Sequence, residues 1–171
     1  MVTKIETAQV SLPSDREVRV TRSFNAPRTL VYEAHTKPEL VKRWMLGPPG
    51  WSMPVCEMDV RVGGKFRWLW RSDTEGSQFG FHGVFREVDP PAKISHTEIY
   101  DPGDVGGNMG ESGEALISVT FTEHGGITTV TALMDFGSKE ARDAAVSTGM
   151  TDGMEMSYQM LDALLAEKAT G

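Results

Sequence analysis

A long helical pattern near the C-terminus is the feature that most constrains how this chain can fold. Residues 138–167 read SKEARDAAVSTGMTDGMEMSYQMLDALLAE, and Ser138 is suited to cap the helix start. Apolar residues recur there at steps of three and four, the period of one helix face: Met150, Met154, Tyr158, Leu161 and Leu165. A straight helix of this length would span about 45 Å, so we expect a bend near Gly149 or Gly153. Glycines inside a helix also suggest that another segment packs closely there.

Strand patterns precede this helix. The predicted order is one strand, two short helices, six successive strands and the long helix. The predicted strands are 17–25, 53–60, 65–71, 78–88, 92–100, 114–122 and 127–136, and the short helices begin at Pro27 and Pro38. Consecutive strands joined by short turns form an antiparallel sheet, whose apolar face must be covered. We therefore predict an α+β fold in which a curved sheet grips the C-terminal helix.

The length of the chain favours one domain. With 171 residues, the chain is predicted to form a single domain over residues 13–171. Residues 1–12 are expected to be either a loose N-terminal arm or a short extra strand. The net charge of -7 argues against nucleic acid or an anionic membrane as a partner, because both require a basic face.

The cysteine content and the hydropathy pattern indicate the cellular compartment of the protein. Cys56 is the only cysteine, so no intramolecular disulfide can form, which fits a reducing cytoplasm. The first residues lack the apolar region of a signal peptide, and no apolar run approaches the length of a membrane span. We expect a cytoplasmic protein in which Cys56 is a small buried side chain rather than a reactive thiol.

Aromatic residues cluster on two neighbouring predicted strands. Period-two spacing places them on one face of each strand: Phe66, Trp68, Trp70, Phe79, Phe81 and Phe85. This face either lines a ligand cavity, since pockets are mostly apolar and aromatic, or forms plain core against the helix. The methionines of the helix either give an adaptable lining or fill gaps in the core: Met150, Met154, Met156 and Met160.

Three titratable residues are the strongest candidates for chemistry. His96 and Glu98 share one face of a predicted strand, and His82 joins them only in one of two registers with the neighbouring strand. Two imidazoles and a carboxylate would suffice for general acid–base catalysis or for a three-ligand metal site. The alternatives are half-exposed strand histidines and, for Glu98, an inward ion pair with an arginine.

The remaining motifs do not point to a cofactor. The glycine-rich residues 103–107 lack the preceding strand and following helix of a dinucleotide-binding loop. We therefore expect no cofactor and no metal. Residues 101–112 are expected to form a flexible loop. One interpretation is that this loop is a lid over a mouth of the cavity.

Four stretches, in this order and spacing, carry a family resemblance: SFNAPRTLVYEAHTKPELVKRWMLGPPGW, VGGKFRW, GVFREVDPPAKISHTE and ARDAAVSTGMTDGMEMSYQMLDALL. Over nearly its whole length the chain resembles the activator of Hsp90 ATPase homologue 1-like (AHSA1-like) family of the START-like, Bet v 1-like (SRPBCC) helix-grip superfamily. The resemblance implies a cavity between the sheet and the C-terminal helix, with Glu98 pointing into it. Superfamily members bind apolar or amphipathic small molecules there, some catalyse cyclisations or hydrolyses, and one branch stimulates the Hsp90 ATPase.

The leading hypothesis is that the protein binds a small apolar or amphipathic molecule in this cavity, with no assigned reaction. The predicted lining consists of Trp44, Trp68, Trp70, Phe81, His96, Glu98, Met150, Met154 and Tyr158. One alternative is an enzyme of the cyclase or hydrolase kind that uses Glu98 with His96 or His82 as acid and base. Another is a co-chaperone-like stimulator of an ATPase partner. A homodimer through the N-terminal arm or an exposed edge strand is also left open.

Overall fold

One antiparallel sheet carries the fold in the computed structural model, which describes residues 6–101 and 114–170. Its strands are β1 (Gln9–Ser11), β2 (Glu17–Phe24), β3 (Trp51–Met58), β4 (Lys65–Ser72), β5 (Gln78–Asp89), β6 (Lys93–Asp101), β7 (Ala115–His124) and β8 (Ile127–Asp135). The helices are α1 (Arg28–Thr36), α2 (Pro38–Trp44), α3 (Lys139–Ser147) and α4 (Met150–Thr170). The predicted α+β helix-grip fold is confirmed, with two short helices after the early strands and a long helix at the C-terminus.

The strands follow one another in space as β1-β2-β8-β7-β6-β5-β4-β3, and every neighbouring pair is antiparallel. β2 pairs with β8, the last strand, with Val20 opposite Ala132. Hairpins connect the strands from β3 to β6, as the short turns in the sequence predict. The predicted loop at 101–112 lies outside the described residues except for Asp101, which ends β6.

The core lies between the sheet and the helices α1, α2 and α4. On β2, Val18, Val20 and Phe24 are fully buried, as their alternation predicts. On α4, the apolar stripe supplies Tyr158, Leu161 and Leu165 to the same core. The sheet and the middle of α4 therefore share one core.

The C-terminal helical pattern divides into two helices. Ser138 caps α3 as predicted, because its Oγ accepts a hydrogen bond from the Ala141 N–H at 3.1 Å. The chain then turns at Gly149, whose φ of +81° is a left-handed conformation that favours glycine. The bend is thus a complete break, and α4 starts directly after it.

The expectation of close packing at the two glycines is wrong. A Cβ added at Gly149 or at Gly153 would meet no heavy atom within 4 Å. Gly149 is explained by its backbone conformation instead, and Gly153 leaves open space on one flank of α4.

Both edges of the sheet have features that oppose pairing with another strand. β1 has only three residues, and it pairs with β2 through Val10 and Val20. β3 carries the exposed Pro54, and its register with β4 shifts between Ser52 and Val55. Short edge strands, proline and bulges all limit edge-to-edge association. A homodimer through an edge strand stays a prediction.

The helices of the described chain differ from membrane spans. None of them is both long enough and apolar enough to cross a bilayer.

Candidate functional site

The inner face of β4 carries the aromatic row that the sequence predicts. Phe66, Trp68 and Trp70 are buried there, whereas Arg67 and Arg71 are exposed on the outer face. The period of two along the strand explains this separation.

β5 and β6 extend this row into a wall of rings. Phe79 stacks on Trp70 with ring centroids 5.4 Å apart, and Phe81 lies edge-on to Trp70 at 5.9 Å. Tyr100 of β6 contacts Phe81 at 5.5 Å, and Phe85 contacts Phe66 at 5.5 Å. We call this surface, formed by the inward side chains of β4, β5 and β6, the aromatic wall.

Polar atoms without partners lie within the aromatic wall. The Trp68 Nε1 and both ring nitrogens of His96 are buried and have no hydrogen-bond partner among the described residues. The two residues are only 6% and 7% exposed, and their ring centroids are 5.7 Å apart. Because buried polar groups are nearly always paired, these atoms mark a place where a ligand or water could be held.

Glu98 lies beside His96, as the sequence predicts for two residues on one face. Its Oε2 is 3.4 Å from His96 Nε2, without the alignment of a hydrogen bond, and its side chain is only 16% exposed. Phe66 and Phe85 enclose the imidazole at ring distances of 5.0 and 5.9 Å. The arrangement is a carboxylate and an imidazole set in an aromatic surface.

Gly83 makes room for the Phe66 ring and for the backbone of β6 beside this pair. The register of β5 and β6 places Gly83 level with Glu98, and the register of β4 and β5 places it opposite Phe66. A Cβ at Gly83 would collide with the Thr97 carbonyl oxygen and lie 2.9 Å from Phe66 Cε1. Glycine therefore lets the Phe66 ring approach the strand beneath it.

His82 does not join His96 and Glu98, so the hypothesis of a three-residue cluster is wrong. His82 pairs with Arg67 on one side and with Ile99 on the other, which puts it on the exposed outer face. Phe81 takes the inward position next to it. Across the described residues, no group of three His, Cys, Asp or Glu side chains is placed to hold a metal ion.

The outer face has a depression of its own. Its volume is about 420 Å³, and its lining mixes charges of both signs: Glu57, Lys65, Arg67, His82, Thr97, Ile99 and Glu114 are among the residues that form it. It lies on the opposite side of the sheet from the predicted cavity.

The other predicted lining residues form a second group around the helices. Trp44 stacks on Tyr158 with ring centroids 6.0 Å apart, and its Nε1 donates to the Ala34 carbonyl oxygen at 2.8 Å. Met150 and Met154 are half-buried on the first turns of α4 and pack against the core. The nine predicted residues thus divide between the aromatic wall and the helix side.

The hydrogen bonds of the indole nitrogens distinguish Trp68 from Trp44 and Trp70. Trp70 Nε1 donates to the Met45 carbonyl oxygen at 2.7 Å, and Trp44 Nε1 is also paired. Trp68 Nε1 differs from both because it has no partner in the described part of the chain.

Sequence reasoning missed a buried arginine. Arg22 is 4% exposed, and its guanidinium donates to both carboxylate oxygens of Asp162 at 2.8 Å and to those of Glu155 at 3.3 and 3.2 Å. The alternation of β2, in which Arg22 occupies an inward position between Val20 and Phe24, was the available signal. Arg22 therefore binds helix α4, and the ion-pair partner of Glu98 in the described part of the chain is His96 rather than an arginine.

Comparisons with known proteins agree with this architecture. Curated proteins give no match. A solved structure from Rhodobacter sphaeroides is 29% identical, with a TM-score of 0.84 over 95% of this chain and 99% of that chain. Protein Ms6760 from Mycobacterium smegmatis is 24% identical, with a TM-score of 0.80 over 95% of this chain and 97% of that chain.

An AHSA1-like protein from Aeromonas hydrophila is 19% identical, with a TM-score of 0.66 over 85% of this chain and 93% of that chain. The structures from Mycobacterium smegmatis and Aeromonas hydrophila are both less than 25% identical, so they show only the fold. The family model described as activator of Hsp90 ATPase homolog 1-like protein matches residues 25–166. The chain therefore belongs to the AHSA1-like family.

Proposed function

We propose that this protein binds a small amphipathic molecule against the aromatic wall, on the side that faces helix α4. The observation that carries the proposal is the set of buried, unpartnered nitrogens of Trp68 and His96. The ligand's apolar part would lie on the rings, and its polar end would meet Trp68, His96 and Glu98.

The energetics favour an occupant with a polar end. A buried donor or acceptor left without a partner destabilises the fold by about 1–3 kcal/mol. A ligand that pairs with these atoms recovers part of that free energy, which a purely apolar molecule cannot do. The aromatic side chains give the large apolar contact area typical of small-molecule sites.

The start of α4 is suited to adapt to such a ligand. Met150 and Met154 are flexible, half-buried side chains that can repack around different shapes. Gly153 lies between them in sequence, and open space surrounds the position of its absent Cβ. These three positions are the proposed movable side of the site.

The test is a fluorescence titration with N-phenyl-1-naphthylamine, an uncharged and mainly apolar aromatic probe with one polar N–H group. Two variants on neighbouring strands provide the comparison, His96→Gln on the inner face and His82→Gln on the outer face. We expect His96→Gln to weaken binding at least about tenfold, because it disturbs the polar centre of the site. His82→Gln should bind like the wild type.

Native mass spectrometry of protein purified gently from its own host provides an independent readout. A discrete added mass that is lost in His96→Gln but kept in His82→Gln would support the proposal. Absence of probe binding in the wild type, or equal loss in both variants, would contradict it. Thermal unfolding of each variant separates loss of binding from loss of fold.

A second candidate function is acid–base catalysis by His96 and Glu98, and their 3.4 Å separation is the observation that favours it. A carboxylate beside an imidazole can orient the ring and exchange protons with a bound substrate. This candidate predicts ester hydrolysis or a related turnover that Glu98→Gln abolishes while probe binding persists. Turnover unchanged in Glu98→Gln would remove it.

Two further expectations stay predictions. Stimulation of an ATPase partner has no particular described residue that favours it, and it is tested by adding the protein to the host's Hsp90-type chaperone. Cytoplasmic localisation likewise stays a prediction from the sequence.

A further inference from the structure

We infer that the site selects a ligand whose polar end is uncharged and both donates and accepts hydrogen bonds, a hydroxyl or carboxamide, over a carboxylate. This inference rests on the proposed function, and it names the class of ligand that the same residues would take.

The donors and acceptors define the polar end. The indole Nε1–H of Trp68 can only donate, so it requires an acceptor on the ligand. The Glu98 carboxylate can only accept, so the neutral tautomer of His96 that suits a carboxylate 3.4 Å from Nε2 is the one with its proton on Nε2. His96 Nδ1 is then an acceptor, and it requires a donor on the ligand.

One small group meets both requirements. A hydroxyl accepts from Trp68 and donates to His96, and a carboxamide does the same with its oxygen and nitrogen. A carboxylate offers acceptors alone, so it leaves His96 Nδ1 unpaired.

The charges around the site also favour an uncharged ligand end over a carboxylate. Glu98 places a carboxylate at this end of the site. The basic residues of β4 that flank the wall, Lys65, Arg67 and Arg71, are exposed on the outer face. Arg22, the buried cation of β2, is held by Glu155 and Asp162. An anionic ligand end would therefore lie beside the like charge of Glu98, and neither Arg22 nor the exposed basic residues of β4 are placed to offset it.

The experiment is calorimetric titration near neutral pH with four bicyclic probes that differ only in the attached group: 2-naphthol, 2-naphthamide, 2-naphthoate and naphthalene. We expect 2-naphthol and 2-naphthamide to bind at least about tenfold more tightly than 2-naphthoate, since like charges brought together weaken binding strongly. Naphthalene should bind more weakly than 2-naphthol, because it leaves the polar atoms unpaired.

Two variants that each remove one carboxylate test whether Glu98 causes the difference in affinity between the probes. Glu98→Gln should remove most of the difference between 2-naphthol and 2-naphthoate, whereas Glu57→Gln, on the exposed face of β3, should leave it unchanged. If Glu98→Gln does not fold, the comparison of the four probes on the wild type still decides the question.

The outcomes separate the two proposals. If 2-naphthoate binds as tightly as 2-naphthol while N-phenyl-1-naphthylamine also binds, the inference about the polar end is overturned and the proposed function stands. If neither N-phenyl-1-naphthylamine nor any of the four bicyclic probes binds, the proposed function fails, and the inference fails with it.

Discussion

His35 shows how burial controls the charge of a single side chain. Its ring lies between Trp44 and Phe121, with centroid distances of 4.8 and 5.0 Å, and its Nδ1 is 2.8 Å from the Val31 carbonyl oxygen. That oxygen is an acceptor, so Nδ1 carries the proton of the neutral ring. Burial lowers the pKa of His35 from 6.5 to about 4, although the hydrogen bond to Val31 opposes part of the shift.

This pKa shift predicts a pH dependence of stability. Between about pH 6.5 and pH 4 the unfolded chain binds a proton that the folded chain does not, so the free energy of unfolding falls as the pH falls through this window. The loss from His35 is about 3 kcal/mol at most. Urea unfolding across this window should therefore show a smaller loss for His35→Leu than for the wild type. His124→Leu, at the exposed end of β7, is the control, and parallel curves for the wild type and His35→Leu would contradict the prediction.

Burial also controls the charge of the Cys56 thiol. Burial raises the pKa of Cys56 to about 11, more strongly than the charge of Lys42 lowers it. Its Sγ lies 3.7 Å from the Pro38 carbonyl oxygen. The thiol thus has little thiolate character near neutral pH. Cys56 is half-buried, whereas the sequence predicted a buried side chain.

At the scale of elements, two glycines of the C-terminal helices differ in what a methyl group would do. Gly149 has a positive φ, so alanine there is strained, and Gly149→Ala should destabilise the protein by about 1 kcal/mol or more. Gly153 lies within α4 and has open space around it, so Gly153→Ala should stabilise the protein by about 0.5–1 kcal/mol. Urea unfolding of the two variants measures both effects, and effects of the same sign would contradict the argument.

The positions of the elements were largely predictable, because each depends on local pattern. Period-two alternation gave β4 as 65–71 against the observed Lys65–Ser72, and β3 as 53–60 against Trp51–Met58. The orientation of His82 was not predictable in the same way, since it depends on how β5 pairs with its neighbours. The shift of register between Phe85 and Glu87 has no signal in the local sequence either.

At the scale of the whole molecule, the order of the elements predicted the helix-grip fold, but the site required distances between remote residues. Trp44, Trp68 and Trp70 look alike in the sequence. Only the fold brings the Ala34 and Met45 carbonyl oxygens to two of the three indoles and leaves Trp68 unpaired. The candidate residues were therefore predictable by type, and their roles were not.

Arg22 connects three distant parts of the chain. It lies on β2, and its two carboxylate partners, Glu155 and Asp162, lie two turns apart on one face of α4. Glu155 also accepts a hydrogen bond from the Ala8 backbone N–H at 2.8 Å, next to strand β1. Burial would raise the pKa of Glu155, but its hydrogen bonds, that from Arg22 foremost, lower it. The arginine thus joins the N-terminal strands to the C-terminal helix.

Removing this cation should loosen the molecule as a whole. Arg22→Met keeps the apolar stem but leaves two carboxylates partly buried without their partner, and it should destabilise the protein by about 2–3 kcal/mol. Asp162 keeps 38% of its side chain exposed, so water compensates part of the loss. The control is Arg19→Met on the exposed face of the same strand, which removes a 3.1 Å hydrogen bond to Ser11 and should change stability by less than about 0.5 kcal/mol. Urea unfolding measures both, and equal effects would show that α4 is held to the sheet by its apolar face alone.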